Sequence, residues 1–219
     1  MALNLIEKLK MQGYAIIKNA LEDKDIAEAN TVTNELIKKW ASGEICSEDF
    51  WTYKPECAPS PVLYRIHNLE RKHECLEEFI KSKRLMDIVY SVMGQKVVIT
   101  AAALIIKMPF YGGEVPYHRD PIDVPSGSVY NFSVFLDDST PENGCFEVVP
   151  GSHLTVGNEE QFKERPKGLK FISAEKGDII IHDVRLIHGS AFSSSEKMRR
   201  SICMEFQPLE IFKQRKIAS

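Results

Sequence analysis

The sequence predicts a mainly β domain, a sandwich or barrel of short strands, behind a helical preface. From residue 96 onward, β-branched and aromatic runs recur at short, turn-separated intervals. Before it, apolar residues recur with helical spacing around a single short strand. No Gly/Ser- or Pro-rich linker divides the 219 residues, which predicts one domain over 1–219, with the preface at about 1–95 and the β core at about 96–210.

The elements follow in order. Leu5, Ile6 and Leu9 give residues 3–11 a helical stripe, and "GYAIIKNA" reads as a strand bounded by Gly13 and Asn19. A helix starts at Asp23 or Lys24, runs through Ala27, Ala29, Val32, Leu36 and Trp40, and ends at Gly43. Pro55, Pro59 and Pro61 make "EICSEDFWTYKPECAPSPV", residues 44–62, an irregular loop whose Trp51 and Tyr53 line a pocket or pin the surface. One helix is expected over residues 75–93, with Leu76, Phe79, Ile80, Leu85, Ile88, Val89 and Val92 on one face and Gly94 closing it. Strands follow in "KVVITAAALIIKMP", "YNFSVFLDD", "CFEVVPGSH", "LKFIS", "GDIIIHD" and "RRSICMEFQP". Asn143-Gly144 is the strongest hairpin signal, expected to shape the barrel without touching chemistry.

Composition narrows the function classes. With 28 basic and 31 acidic residues the formal net charge is −3, which gives no electrostatic grip on nucleic acid or an anionic membrane, and the expected partner is a small molecule. No stretch of about 20 apolar residues suits a membrane span, and "MALNLIEKLK" is too interrupted by charge for a secretory segment. The five cysteines are odd in number and scattered, which fits neither a disulfide framework nor a zinc knuckle and points to a reduced cytoplasm. Cys145 and Cys203 read as small core residues.

The chemistry concentrates in "PYHRDP". On a strand, His118 and Asp120 at i and i+2 point to one side and can reach one ion. A third ligand would come from His153, His182 or His188, completing the two-His, one-carboxylate facial set of non-haem Fe(II) oxygenases, which leaves three octahedral positions open. Spacing alone leaves that choice open. If a 2-oxo acid fills open positions, its distal carboxylate calls for an arginine fork, and "MRRSICMEF" offers Arg199 or Arg200. Alternation puts them on opposite faces without saying which is internal.

The stretch from Ile105 to Pro208 resembles the phytanoyl-CoA dioxygenase family of Fe(II)/2-oxoglutarate-dependent oxygenases. The motifs are "IIKMPFYGGEVPYHRDP", "NFSVFLDDSTPENGCFEVVPGSH", "GDIIIHDVRLIHGS" and "RRSICMEF", with "LYRIHNL" and the helix before "MGQKVVI" fitting the family's helical preface. The resemblance covers most of the chain, and "DDSTPENGCFEVVPGSH" is its most specific part. It implies a double-stranded β-helix (jelly roll, cupin-like) that uses Fe(II), 2-oxoglutarate and O2. Carried over by position, the metal and catalytic residues are His118, Asp120 and His188, and Arg199 holds the distal carboxylate of 2-oxoglutarate with Ser190 beside it. Lys107 and Asn131 are further candidates for co-substrate contacts. His182 stands where the family commonly has an apolar or small residue; it is read as structural, with a place beside the metal as the alternative. His153 is read as structural, and Arg200 as a solvated or substrate-side charge.

The implied reaction is oxidative decarboxylation of 2-oxoglutarate to succinate and CO2, coupled to hydroxylation of an unactivated C–H bond. The presence of Asp120 argues against a halogenase, which needs a small residue there. Desaturation, epimerisation and cyclisation remain open. The rival readings are a non-catalytic jelly roll that binds a metal or 2-oxo acid as a sensor or store, and a cupin-like isomerase or hydrolase, which would not need Arg199. Arg65, Arg119 and the 44–62 loop suit recognition of an acidic or polar metabolite, and with a short lid over residues 153–168 they favour a small polar substrate over a long acyl-CoA.

Overall fold

A computed structural model of the chain describes residues 4–94, 96–155 and 164–218. The preface begins with α1 (Leu5–Gln12), where Asn4 and Glu7 form a reciprocal capping box and Gly13 closes the helix in the left-handed region. There follow β1 (Tyr14–Ile17), α2 (Asp23–Ala41), β2 (Phe50–Tyr53), β3 (Val62–His67), α3 (Glu74–Ile80) and α4 (Lys83–Met93). The β core comprises β4 (Val97–Lys107), β5 (Val115–His118), β6 (Tyr130–Phe135), β7 (Phe146–Val148), β8 (Lys170–Ile172), β9 (Ile179–Asp183), β10 (His188–Ser190) and β11 (Arg199–Pro208), and α5 (Leu209–Ala218) follows it.

The strands form two antiparallel sheets, the architecture of a jelly roll. The major sheet runs β1-β9-β6-β11-β4-β3-β2 and the minor sheet β5-β10-β7-β8. Strand alternation divides the major sheet cleanly. Ile202, Met204 and Phe206 of β11, Phe132 and Val134 of β6, and Ile179 and Ile181 of β9 pack in one cluster with Ile26, Ala29 and Leu36 of α2, Leu76 and Phe79 of α3, and Leu85 and Val89 of α4. The other face, with Asn131, Ser133, Phe135, His182, Arg199, Ser201, Cys203 and Glu205, looks across to the minor sheet and is far more polar. At one end of this gap Phe135, Val148, Ile172, Ile180 and Leu186 close it with a second apolar cluster.

Three expectations change. The 44–62 loop contains β2, which pairs with β3, because the prolines fall after Tyr53 and leave Phe50–Tyr53 free to donate. The single helix over 75–93 is two: Ser82 takes an extended conformation (ψ 142°) and starts α4, so the apolar stripe continues on a redirected axis. Asn143-Gly144 is no two-residue hairpin. Residues 141–143 form a 3-10 turn between β6 and β7, strands of different sheets, and only Gly144 has positive φ (74°). Among the described residues no helix is long and apolar enough to cross a membrane.

Candidate active site

β5 and β10 pair antiparallel with His118 opposite His188, and their rings lie 4.3 Å apart. Gly189 makes this approach feasible, since a Cβ there would come within 2.7 Å of the Val115 carbonyl oxygen. Asp120 lies just past the end of β5, and its N–H donates to the Val184 carbonyl (2.9 Å), turning the carboxylate back toward the two rings. One Asp120 oxygen, Oδ1, lies 3.7 Å from His118 Nε2 and 4.0 Å from His188 Nε2, and the three residues offer ligand atoms all within 4.8 Å of one another.

The ring orientations bear on what this cluster can hold. Each Nδ1 sits beside the carbonyl oxygen two residues back, 2.8 Å at Pro116 and 2.9 Å at Leu186, and these acceptors assign the ring proton to Nδ1. Both Nε2 lone pairs therefore face a carboxylate oxygen, an arrangement that repels unless a cation sits among them. Burial would raise the Asp120 carboxyl, but the surrounding imidazoles, His188 foremost, hold it below the ordinary carboxylate range. Burial lowers His188 and keeps it neutral; at His118 the same pull is offset by Asp120 and the Pro116 carbonyl, which leave it raised. A carboxylate and two lone-pair imidazoles fit a divalent transition metal.

His182, expected to be structural, lies beside this cluster. Its ring is 4.5 Å from that of His188 and 4.9 Å from Phe146, and its Nε2 is 3.9 Å from Asp120 Oδ2. Burial pushes its pKa well below the ordinary value. Asn131 donates from Nδ2 to that same Oδ2 (2.7 Å) and lies 3.4 Å from His182 Nε2, so its amide is spent on the carboxylate. His153 is apart from the cluster, near the Lys10 carbonyl (3.2 Å), as its structural reading holds.

Alternation on β11 separates the two arginines. Arg199 shares the cavity face, 4% exposed, and donates from Nη2 to the Gly144 carbonyl (2.6 Å) while its Nε has no partner. Among the described residues no carboxylate pairs with it. Arg200 turns the other way and is neither solvated nor substrate-side. It pairs bidentately with Asp137 (2.8 Å to each oxygen) and reaches Thr33 and Asn34 of α2, pinning that helix to the sheet. The Asn143-Gly144 turn thus does touch this end of the cavity, through the carbonyl that Arg199 holds. Lys107, paired with Arg199 across β4 and β11, donates to the Ala191 (2.7 Å) and Gly113 carbonyls; burial, then Arg199, lowers its pKa to about 7. Ser190 is buried in the cavity wall on β10.

The model of the family described as phytanoyl-CoA dioxygenase matches residues 9–201. The chain belongs to the phytanoyl-CoA dioxygenase family. Among relatives, it is 28% identical over 172 residues to a phytanoyl-CoA dioxygenase domain-containing protein 1 homolog of Dictyostelium discoideum, a match covering 69% of this chain and 60% of that one. The chain thus spans less than two thirds of that relative. AviO1 from Streptomyces viridochromogenes Tue57 superposes with a TM-score of 0.85 at 33% identity, covering 94% of both chains. EctD from S. alaskensis, solved with bound Fe, shares the fold: TM-score 0.76 at 21% identity, covering 93% of this chain and 75% of that one.

One further buried residue was not legible beforehand. Glu147, buried on β7, accepts from the Tyr117 hydroxyl (2.7 Å) and the Ala191 N–H (3.1 Å), tying β5 to the chain after β10; a lone acid inside the apolar "CFEVV" was its one signal. Arg65 lines the cavity from β3, whereas Arg119 points away and donates to the Ser152 (2.7 Å) and Arg185 carbonyls. Trp51 lies against Arg65, and the Tyr53 hydroxyl donates to the Tyr111 carbonyl. In the expected lid, residues 156–163 lie outside the described residues.

Proposed function

We propose that the chain is an Fe(II)- and 2-oxoglutarate-dependent dioxygenase that hydroxylates a small polar metabolite, releasing succinate and CO2. The observation that carries this is the pairing of the His118–Asp120–His188 cluster with a buried, carboxylate-free Arg199 at the edge of the same cavity. His118, Asp120 and His188 would hold one Fe(II). When bound, the metal with 2-oxoglutarate and O2 supplies the oxidising power for C–H hydroxylation.

The protein's own groups do the positioning. Arg199 offers its guanidinium fork to the distal carboxylate, Ser190 adds a hydroxyl, and the Gly144 carbonyl fixes the fork's rotation. Lys107 braces the strand end by tying the Gly113 and Ala191 carbonyls together, a supporting role in place of direct contact with the co-substrate. Asn131 keeps Asp120 Oδ2 occupied, so that Oδ1 is the oxygen turned to the imidazoles. Phe135, Phe146 and Ile105 supply apolar wall that excludes water from the reacting centre. EctD from S. alaskensis, solved also with 2-oxoglutarate and 5-hydroxyectoine, supports the reading by likeness of fold. Asp120 favours hydroxylation over halogenation, and five unpaired cysteines suit a reducing, cytoplasmic setting.

Thermal unfolding with Mn(II) and the co-substrate mimic N-oxalylglycine tests this. The expected result is a rise in Tm that needs both additives, together with succinate release in Fe(II) turnover assays across polar metabolites. A rise without succinate from any of them would favour a binding module, and no rise would remove the metal and co-substrate reading altogether.

A further inference from the structure

We propose that Arg65 anchors an oxyanionic group of the primary substrate, so that the substrate class is a small acid, carboxylate or phosphate, and not merely a polar metabolite. The proposal rests on the dioxygenase reading, since it assigns the side of the cavity that the co-substrate leaves free.

Arg65 stands on the cavity face of β3, in register with Ile105 of β4, which is in turn in register with Ser201 of β11. Two strand spacings separate Arg65 from Ser201, roughly 10 Å, and Arg199 lies two residues further along β11 on the same face. The cavity floor therefore carries two guanidinium groups, one at each side.

Their hydrogen-bonding states set them apart from the other arginines of the core. Arg65 is half-buried, its Nε is sealed from solvent without a partner, and among the described residues none of its nitrogens meets a hydrogen-bond acceptor or carboxylate. It makes a cation–π contact: the guanidinium carbon lies 5.9 Å from the Trp51 ring centroid, and Trp51 is backed by His67 (4.0 Å between centroids) and Tyr64 (6.4 Å). That contact uses no N–H donor, which leaves the guanidinium fork free to pair bidentately with an anion. Arg200 and Arg119, by contrast, spend their donors on Asp137 and on backbone carbonyls. No nearby anion is left over for Arg65 to serve. Asp120 is taken up by Asn131 and the imidazoles, and Glu205, the other acid of the cavity wall, is held by Gln207 (2.7 Å) and Thr100. An unpaired cation half out of water is costly to keep, and an incoming oxyanion would satisfy it.

The test uses protein loaded with Mn(II) and N-oxalylglycine, so that Arg199 is already engaged. Propionate, its neutral isostere propionamide, and methyl phosphate are titrated separately, with binding read from the paramagnetic relaxation of their protons by Mn(II). The wild type is expected to bind at least one anionic probe about tenfold or more tightly than propionamide, and which one it prefers separates carboxylate from phosphate. Arg65→Gln should erase that preference, Arg65→Lys should retain part of it, and neither should move the N-oxalylglycine affinity. Equal binding of propionate, methyl phosphate and propionamide by the wild type, or a preference that survives in Arg65→Gln, would overturn the proposal. So would a weakened N-oxalylglycine affinity in Arg65→Gln, which would give Arg65 to the co-substrate. Failure to bind Mn(II) or N-oxalylglycine at all would instead remove the dioxygenase reading, and this inference with it.

Discussion

Arg199 and Arg200 are chain neighbours, both 4% exposed, yet they sit in opposite electrostatic circumstances. Arg200 is paired at both Asp137 oxygens, so Arg200→Ala strands a carboxylate and unhooks α2; a loss of about 2–3 kcal/mol is expected, below a fully buried pair because Asp137 is partly exposed. Arg199→Ala removes a cation that pairs with no carboxylate among the described residues, and should cost little stability while weakening 2-oxoglutarate binding by about 10- to 100-fold. Chemical denaturation and co-substrate titration of both variants check this, and matching effects would mean the roles are wrongly assigned. Lys107 adds a pH signature. Its pKa is lowered to about 7 in the folded chain against about 10.4 unfolded, so the folded state binds fewer protons between those values. Stability attributable to Lys107 therefore rises with pH from about 7 to about 10, by at most about 1.4 kcal/mol per unit, and is penalised below 7. The difference in unfolding free energy between wild type and Lys107→Met should grow over that window; a flat or falling difference would contradict the burial argument.

Among the elements, β5 and β10 carry the site, and the close approach at Gly189 is what brings them together. Gly189→Ala pushes a methyl group against the Val115 carbonyl and parts the two imidazoles. Metal affinity should fall at least about tenfold while far-ultraviolet circular dichroism keeps the native strand signal; unchanged affinity would show that the pairing tolerates more than the contact suggests. Period-2 alternation made most of these strands legible in the sequence: β11 was expected at its observed bounds, whereas Asp120, expected on one strand face with His118, lies past the end of β5 and is turned back by its N–H bond to Val184. The face of β11 was not legible, because Ser201 and Cys203 opposite Ile202 and Met204 mark a polar side without saying that a cavity lies there. The 141–143 turn was misread because Asn-Gly signals a tight reversal, while here Asn143 spends its side chain on the Thr140 N–H and the Asp138 carbonyl and the chain crosses between sheets.

Over the whole molecule, the helices cover one face of the major sheet and leave the other to face a shorter, four-stranded partner. That division concentrates the buried polar groups between the sheets, where a bound ion would link β5, the turn after it and β10. A metal at about a hundredfold its Kd should add about 2.7 kcal/mol of stability, or roughly 5–10 °C in Tm for a chain of this size. The Arg65 assignment belongs to this level too: the sequence offered Arg65 and Arg119 alike for substrate recognition, and the alignment of β3, β4 and β11 is what separates them. The family motifs named His118, Asp120 and His188, which the fold brings together, and the sequence offered His182 and Arg65 among alternatives, whereas Glu147 depended on packing that spans distant segments.

The most direct measurement is an anaerobic titration of the protein with Fe(II) and 2-oxoglutarate, following the visible charge-transfer absorption that a chelating 2-oxo acid produces on ferrous iron. One equivalent of iron should develop the band in the wild type, Asp120→Ala and His188→Ala should fail to develop it, and Arg199→Ala should need far more 2-oxoglutarate. A wild type that gives no band, or an Asp120→Ala variant that gives the full one, would contradict iron held by His118, Asp120 and His188.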